Sequence, residues 1–230
     1  VLPARPIRPQ PLVYILTSLI VAVVVGMGLV FLVEHLDTKV KSPAEVTRLL
    51  GLTVIGALPV MPETKEITGV LDPITVGSNP SLEPYHLLRT NLGVAWGGAP
   101  AKYILVTSAE EGEGKTTVLS NLGIALAMTG KRIVLVDADL RRPQLHRQFG
   151  LARSAGLADL LAEGNRDPSS YLRKTGLDSL QVLSAGLSEA QASPALLLGS
   201  DRMRQVLRNV GEGNDIVLVD TPPVLYSSDA

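Results

Sequence analysis

The stretch Ser108–Gly123, "SAEEGEGKTTVLSNLG", decides how the whole chain is read. It fits the pattern Ala/Gly-x-x-x-x-Gly-Lys-Ser/Thr through Ala109, Gly114, Lys115 and Thr116, follows the apolar run "YILVTS", and opens into a helical pattern. A triphosphate needs that setting. Backbone amides along Gly112, Glu113, Gly114, Lys115, Thr116 and Thr117 would face the phosphates at the positive end of a helix, Lys115 would place a charge on the β and γ groups, and the Thr116 hydroxyl would ligate Mg2+.

Working outward, three further runs of branched aliphatics end in polar, Gly or Pro positions: "RIVLVDAD" from Arg132, "LQVLSAG" from Leu180 and "DIVLVDTPP" from Asp215. With "YILVTS" they read as four buried parallel strands. Helical spacing over Thr116–Met128 and Asp201–Val210 alternates with them, which predicts an α/β fold, a parallel P-loop NTPase sheet with its chemistry at the carboxyl ends of the strands. In "IVLVDADLRRP" the acids Asp137 and Asp139 stand two apart at a strand end. Alone they could be solvated turn residues, but downstream of a phosphate loop they suit a cation that bridges phosphates, or a base. Asp220 closes "IVLVD" in the Walker B manner, where a carboxylate orients Mg2+ directly or through water.

Toward the amino end, Leu12–Val33 is 22 residues without a charge. At about 1.5 Å per residue it can cross a hydrocarbon layer of about 30 Å, so one transmembrane helix is expected. A signal-peptide core, of roughly 7 to 15 residues, would be shorter. Arg5 and Arg8 precede the span and Lys39, Lys41 and Arg48 come after it, a weak charge bias. The phosphate loop is the stronger argument, because ATP is cytoplasmic. It puts residues from Glu34 onward inside and the Pro-rich 1–11 segment outside. Residues 34–80 are expected to be a linker containing one short helix: Ser42 as N-cap, Pro43 at the first position, Glu45 three after the cap, Gly51 as terminator. That helix is expected near the membrane surface. Residues 81–230 would form the P-loop domain.

Composition narrows the partners. With 21 basic and 22 acidic residues among 230, the net charge of -1 offers no field for nucleic acid. There is no cysteine, which excludes disulfides and thiolate metal sites, and the three histidines, His35, His86 and His146, lack ligand spacing. The chain begins with Val1 and stops ten residues after Asp220, so the sheet is expected to be incomplete on its C-terminal side and to fold and bind nucleotide poorly alone.

Taken together, "SAEEGEGKTT", "IVLVDADLRRP" and "IVLVDTPP", preceded by "EPYHLLRTNL" and by a span leading into "DTKVKSPAEVTRLLGLTVIGALP", resemble the bacterial protein-tyrosine kinases of capsule and exopolysaccharide assembly. In many of these the kinase is fused to a membrane-embedded polysaccharide co-polymerase that governs chain length. The resemblance implies ATP and Mg2+ as cofactors, and a homo-oligomeric ring at the bacterial inner membrane whose cytoplasmic subunits phosphorylate one another's tyrosine-rich tails. It also implies polysaccharide polymerase and export machinery as partners. Carried over by position, Lys115 and Thr116 belong to the phosphate loop, Asp137 is the expected base for a tyrosine hydroxyl, and Asp139 and Asp220, with Thr116, are the expected metal ligands. Glu83, His86 and Arg89 match the subunit-contact motif, with His86 where the family has Arg. Tyr14, Tyr85, Tyr103, Tyr171 and Tyr226 are dispersed rather than clustered.

Two other uses of such a loop stay open. Septum-positioning and partitioning ATPases carry a Lys five residues before the loop Lys, where this chain has Glu110. A membrane scaffold with a regulatory nucleotide site and no transfer to protein would share every motif above.

Overall fold

A computed structural model of the chain describes residues 11–36, 42–59, 80–97, 101–163, 167–187 and 193–225. It divides into two compact units, Val1–Val54 and Ile55–Ala230.

The first unit holds helix α1, Pro11–Leu36, 26 residues with no buried side chain, long and apolar enough to cross a membrane. Its two aliphatic hydroxyls are satisfied within the helix: Thr17 Oγ1 donates to Val13 O at 2.9 Å and Ser18 Oγ to Ile15 O at 2.9 Å. A helix without water around it needs that arrangement. Helix α2, Pro43–Leu50, has the expected caps. Ser42 Oγ accepts from Glu45 N at 3.3 Å, and Gly51, in the left-handed region at φ 65°, returns its N–H to Thr47 O at 3.0 Å.

In the second unit a turn at Pro80–Leu82 leads into α3, Glu83–Ala95, which buries Tyr85, Leu88 and Leu92 on one side. Strand β1 (Tyr103–Val106), helix α4 (Lys115–Ala127) and strand β2 (Ile133–Asp137) come next. Two short helices, α5 (Leu145–Gln148) and α6 (Leu157–Glu163), precede strands β3 (Arg173–Lys174) and β4 (Leu180–Leu183). Helices α7 (Pro194–Leu198) and α8 (Asp201–Glu212) and strand β5 (Ile216–Asp220) complete the unit.

The sheet order is β1-β5-β2-β4-β3. Successive residues of β2 point to opposite faces, as any strand requires. Ile133 and Leu135 join Leu180, Val182, Ile216 and Leu218 under α3 and α4, while Val134 and Val136 join Leu183, Val217 and Val219 under α6 and α8. Both faces are covered, which is why the strands read as unbroken aliphatic runs.

Two features go beyond the sequence reading. The four strands read from sequence, β1, β5, β2 and β4, are parallel as expected, and a fifth, β3, runs antiparallel to β4, pairing Arg173 with Val182 and Lys174 with Gln181. Its two residues are too few to show a period. The α/β unit also gathers chain from before residue 81, since Ile55 and Leu58 pack against its core and Asn91 Nδ2 donates to Ile55 O at 2.8 Å. Most of the expected linker, residues 60–79, lies outside the described residues. Among the described strands β1 is an edge, and Leu105 on it is 60% exposed.

Candidate nucleotide site

The site forms where β1, β2 and β5 end together. β2 and β5 are neighbours in register, Ile133 opposite Ile216 through to Asp137 opposite Asp220, so the two "IVLVD" strands deliver their acids side by side. Thr221 Oγ1 donates to Val106 O at 3.1 Å and Thr107 Oγ1 to Pro222 O at 3.0 Å, tying the exit of β5 to the entry of the phosphate loop. The loop turns at Gly112 and Gly114, both left-handed at φ 79° and 86°, a conformation that costs glycine little. Helix α4 then starts at Lys115.

Four of the residues singled out in the sequence converge. Lys115 Nζ lies 2.9 Å from Asp139 Oδ2 and 3.9 Å from Asp220 Oδ1, and Thr116 Oγ1 donates to Asp220 Oδ2 at 2.6 Å. The other Asp139 oxygen, Oδ1, accepts Arg142 N at 3.0 Å. A cleft of about 720 Å³ opens over Lys115, Thr116 and Asp139, lined also by Gly112, Gly114 and Thr117, with Arg141, Arg142 and Pro222 among its other walls; Asp220 is fully buried beneath Thr116 and does not itself line it. Of the residues expected along the phosphate loop, only Glu113 is missing from that lining.

Asp137 departs from expectation. Its carboxylate is fully buried and does not line the cleft. Oδ2 accepts Leu145 N at 3.1 Å and Oδ1 has no hydrogen-bond partner. The two-residue spacing from Asp139 carries Asp137 back into the sheet end while Asp139 reaches the loop. Burial, reinforced by the neighbouring Asp220 charge, holds the Asp137 carboxyl well above the usual carboxylate range. Asp220 is also pushed up, to about 6, by burial, against the opposing pull of the Thr116 hydroxyl and Lys115.

The donor set fits Mg2+. Thr116 Oγ1 and the Asp220 carboxylate are hard oxygen ligands already in contact, and Asp220 Oδ1 is buried without a hydrogen-bond partner beside the Lys115 charge, an orphan that a cation would satisfy. Among the described residues no group of three His or acidic side chains could hold a metal unaided. Phosphate and water oxygens would have to complete the shell.

Sequence reasoning missed two residues at the mouth of the cleft. Glu111, on the phosphate loop, pairs with Arg142 Nη1 after β2, bridging the two loops that flank the cleft. No spacing rule links positions 31 apart; the only available signal was opposite charge on two loops that both had to face the same ligand.

The expected subunit-contact residues lie on α3, with Glu83 exposed at its start and His86 and Arg89 half-buried. Arg89 Nη1 donates to Ala125 O at 2.9 Å, near the C-terminal end of α4, where a cation meets free carbonyls and the negative end of the helix dipole. Arg89 therefore braces the phosphate-loop helix from within its own chain.

Residues 101–228, more than half of the chain, match the family model described as the AAA domain. The tyrosine-protein kinase ptk of Acinetobacter johnsonii is 30% identical over 235 residues, which cover 99% of this chain and 32% of that protein. The kinase domain of the Escherichia coli tyrosine kinase ETK superposes with a TM-score of 0.71 at 28% identity, over 84% of this chain and 77% of that one. The BceF tyrosine kinase domain gives 0.67 at 31% identity, over 81% and 78%. The chain spans about a third of the length of the first curated relatives it matches. With its phosphate loop, its paired strand-end acids and these likenesses taken together, the chain belongs to the AAA domain family and is a homologue of the bacterial tyrosine-protein kinases.

Proposed function

We propose that the chain is the nucleotide-binding and catalytic part of an ATP-dependent protein-tyrosine kinase that regulates capsule or exopolysaccharide polymerisation and export. In this reading α1 anchors it in the bacterial inner membrane with the α/β unit in the cytoplasm, and it works as a homo-oligomer through the α3 surface that carries Glu83 and His86. The polysaccharide partners rest on family resemblance alone. The observation that carries the catalytic reading is Lys115 held between Asp139 and Asp220, with Thr116 bonded to Asp220, at the base of the cleft.

Each group has a task. Lys115 leaves Asp139 for the β and γ phosphates, a stronger concentration of charge. Thr116 and Asp220 would hold Mg2+, which would supply neutralising charge to the phosphates. A tyrosine hydroxyl, with an ordinary pKa of about 10, must lose its proton as the phosphate bond forms. Asp139 lines the cleft and is freed when Lys115 turns to phosphate, so we assign it the proton. Asp137, the base expected from sequence, sits beneath the surface with Leu145 N on one oxygen. Arg142 fixes Asp139 through its backbone amide.

Among the described residues the chain's own tyrosines are poor probes, because Tyr85 and Tyr171 are buried, Tyr14 lies in α1 and the Tyr103 hydroxyl donates to Leu207 O. The test therefore supplies a random glutamate–tyrosine copolymer and Mg·ATP to the full chain in detergent micelles and reads phosphotyrosine and ADP. Wild type should yield both. Lys115→Met should yield neither, and Asp139→Asn should keep nucleotide binding while losing about a hundredfold in transfer, the usual size of a general-base contribution. ADP without phosphotyrosine would favour the switch-ATPase reading instead, and binding without either product a regulatory scaffold.

A further inference from the structure

Glu113 raises a problem of charge. It stands in the middle of a loop built for phosphates, between the two glycines that shape the turn, where a carboxylate should repel the ligand. The structure shows what its side chain does. Glu113 Oε2 accepts two backbone hydrogen bonds, from Ala109 N at 2.9 Å and Glu110 N at 3.1 Å. Its acceptor thus points at the start of its own loop, and of residues 111 to 117 it alone does not line the cleft.

The flanking glycines make this possible. Gly112 and Gly114 are both left-handed, and a Cβ at either would meet nothing within 4 Å. Their purpose is therefore backbone conformation rather than space. Two left-handed residues on either side of Glu113 fold the loop back so that residue 113 can reach residues 109 and 110. Ser108 Oγ adds a third tie by donating to Glu110 O at 2.7 Å.

We propose that Glu113 is a positioning residue: its carboxylate staples the first half of the phosphate loop so that the second half is already shaped for phosphate before nucleotide arrives. The inference rests on the nucleotide-binding reading above. Hydrogen bonds from backbone amides to an ionised acceptor are among the stronger ones, and a loop that is ordered in advance loses less freedom on binding. Two effects of the same group then oppose each other. The negative charge weakens phosphate binding through space, and the staple strengthens it through order. The sign of the response to truncation tells which wins.

Isothermal titration of the full chain in detergent micelles with Mg·ATP decides it, using wild type, Glu113→Ala and Glu113→Gln, with Lys115→Met as the control for the site itself. Glu113→Ala should weaken binding by about tenfold, the scale of losing two such bonds at a partly exposed position. In steady state the loss should fall on KM for ATP rather than on kcat. Glu113→Gln keeps an oxygen that accepts both amides and sheds the charge, so it should recover most of the affinity that Glu113→Ala loses. If Glu113→Ala binds as tightly as wild type or more tightly, charge repulsion is all that Glu113 contributes and the staple is rejected. If Glu113→Ala does not fold, Glu113→Asp, one methylene too short to reach both amides, takes its place with the same two outcomes. Failure of the underlying reading looks different: wild type and Lys115→Met would then bind equally little.

Discussion

Two adjacent strands of this protein have the same sequence and different chemistry. β2 and β5 both read "IVLVD", lie in register and are buried at every position. Their final acids nevertheless face different surroundings. Each leaves its Oδ1 without a hydrogen-bond partner, but Asp220 meets the Thr116 hydroxyl and the Lys115 ammonium, whereas Asp137 meets the backbone amide of Leu145. The loop downstream of each strand makes the difference. After β5 the chain continues as Thr221-Pro222-Pro223 and is tied at once to β1 and the phosphate loop, leaving Asp220 under Lys115. After β2 it runs two residues further before Asp139 reaches the same lysine. An aspartate at the end of an aliphatic strand is therefore a location, and its role is set by the loop beyond it and by the helix that starts opposite.

The sharpest way to break this comparison is to neutralise each twin in turn. Asp220→Asn removes a charge from the ligand set and should lower Mg·ATP turnover by about a hundredfold or more, as losses of charge stabilisation in a closed site commonly do. Asp137→Asn keeps a carbonyl oxygen for Leu145 N and should cost about tenfold at most. Turnover measured on the same copolymer substrate checks both. A larger loss at Asp137 than at Asp220 would reverse the assignment and restore Asp137 as the base.

The second effect is on stability and runs opposite to the usual pattern for acids. Both twins have raised pKa values in the fold, Asp220 at about 6, so the folded state holds their protons more tightly than the unfolded chain, where a carboxyl titrates near ~3.9. The contribution of Asp220 is thus most favourable below about pH 4, declines as the pH rises through about 6, and is level above that, and that of Asp137 falls in the same direction. For Asp220 alone the difference is of order 2 to 3 kcal/mol in the absence of nucleotide. Thermal melts from pH 4.5 to 7.5 should show wild type losing stability relative to Asp220→Asn, with the variant melting about 5 °C higher at neutral pH. Saturating Mg·ATP should narrow that gap, because the ligands that cost stability when empty are the ones that hold the cation. A variant no more stable than wild type at pH 7.5 would mean that Lys115 already compensates Asp220.

How much of this was legible in the sequence depends on the range of the interactions involved. Local chemistry could be read directly: the caps of α2 at Ser42 and Gly51, the loop glycines, the four aliphatic runs and the apolar helix near the amino end. So could the convergence of Lys115, Thr116, Asp139 and Asp220, because each lay at a strand or helix end that the fold class brings to one edge. Elements shorter than their own period were not legible. β3 has two residues and α5 four, and neither can express alternation or a helical face. Nor was it legible which of the paired acids lines the cleft. Asp137 and Asp139 are equivalent in spacing to either side of Ala138, and only the return of the backbone at Leu145 decides that the first is sealed in and the second, though also buried, reaches the cleft wall and Lys115. The segment from Ile55 to Leu58 read as linker because its few apolar residues acquire meaning only against Leu88 and the rest of a core formed by later chain.

The smallest effect tests whether the twins also differ in packing. Helix α4 crosses the sheet at Gly123, and a Cβ there would lie 2.6 Å from Leu135 Cδ2 and 3.4 Å from Leu218 Cδ1. Those leucines occupy the third position of the two identical pentapeptides and face each other across the ladder. The helix is thus pressed against β2 and merely in contact with β5. Gly123→Ala gains about 1 kcal/mol of helix propensity but forces a methyl group into a fully buried leucine, which typically costs about 1 to 3 kcal/mol, so a net loss of roughly 1 kcal/mol is expected. Shortening the crowded partner should relieve it. In a double-mutant cycle followed by thermal or urea unfolding, Leu135→Val should recover much of the Gly123→Ala penalty and Leu218→Val should recover little. Equal recovery from both would mean that α4 sits midway between the strands, and that the asymmetry of the twins begins only at their terminal aspartates.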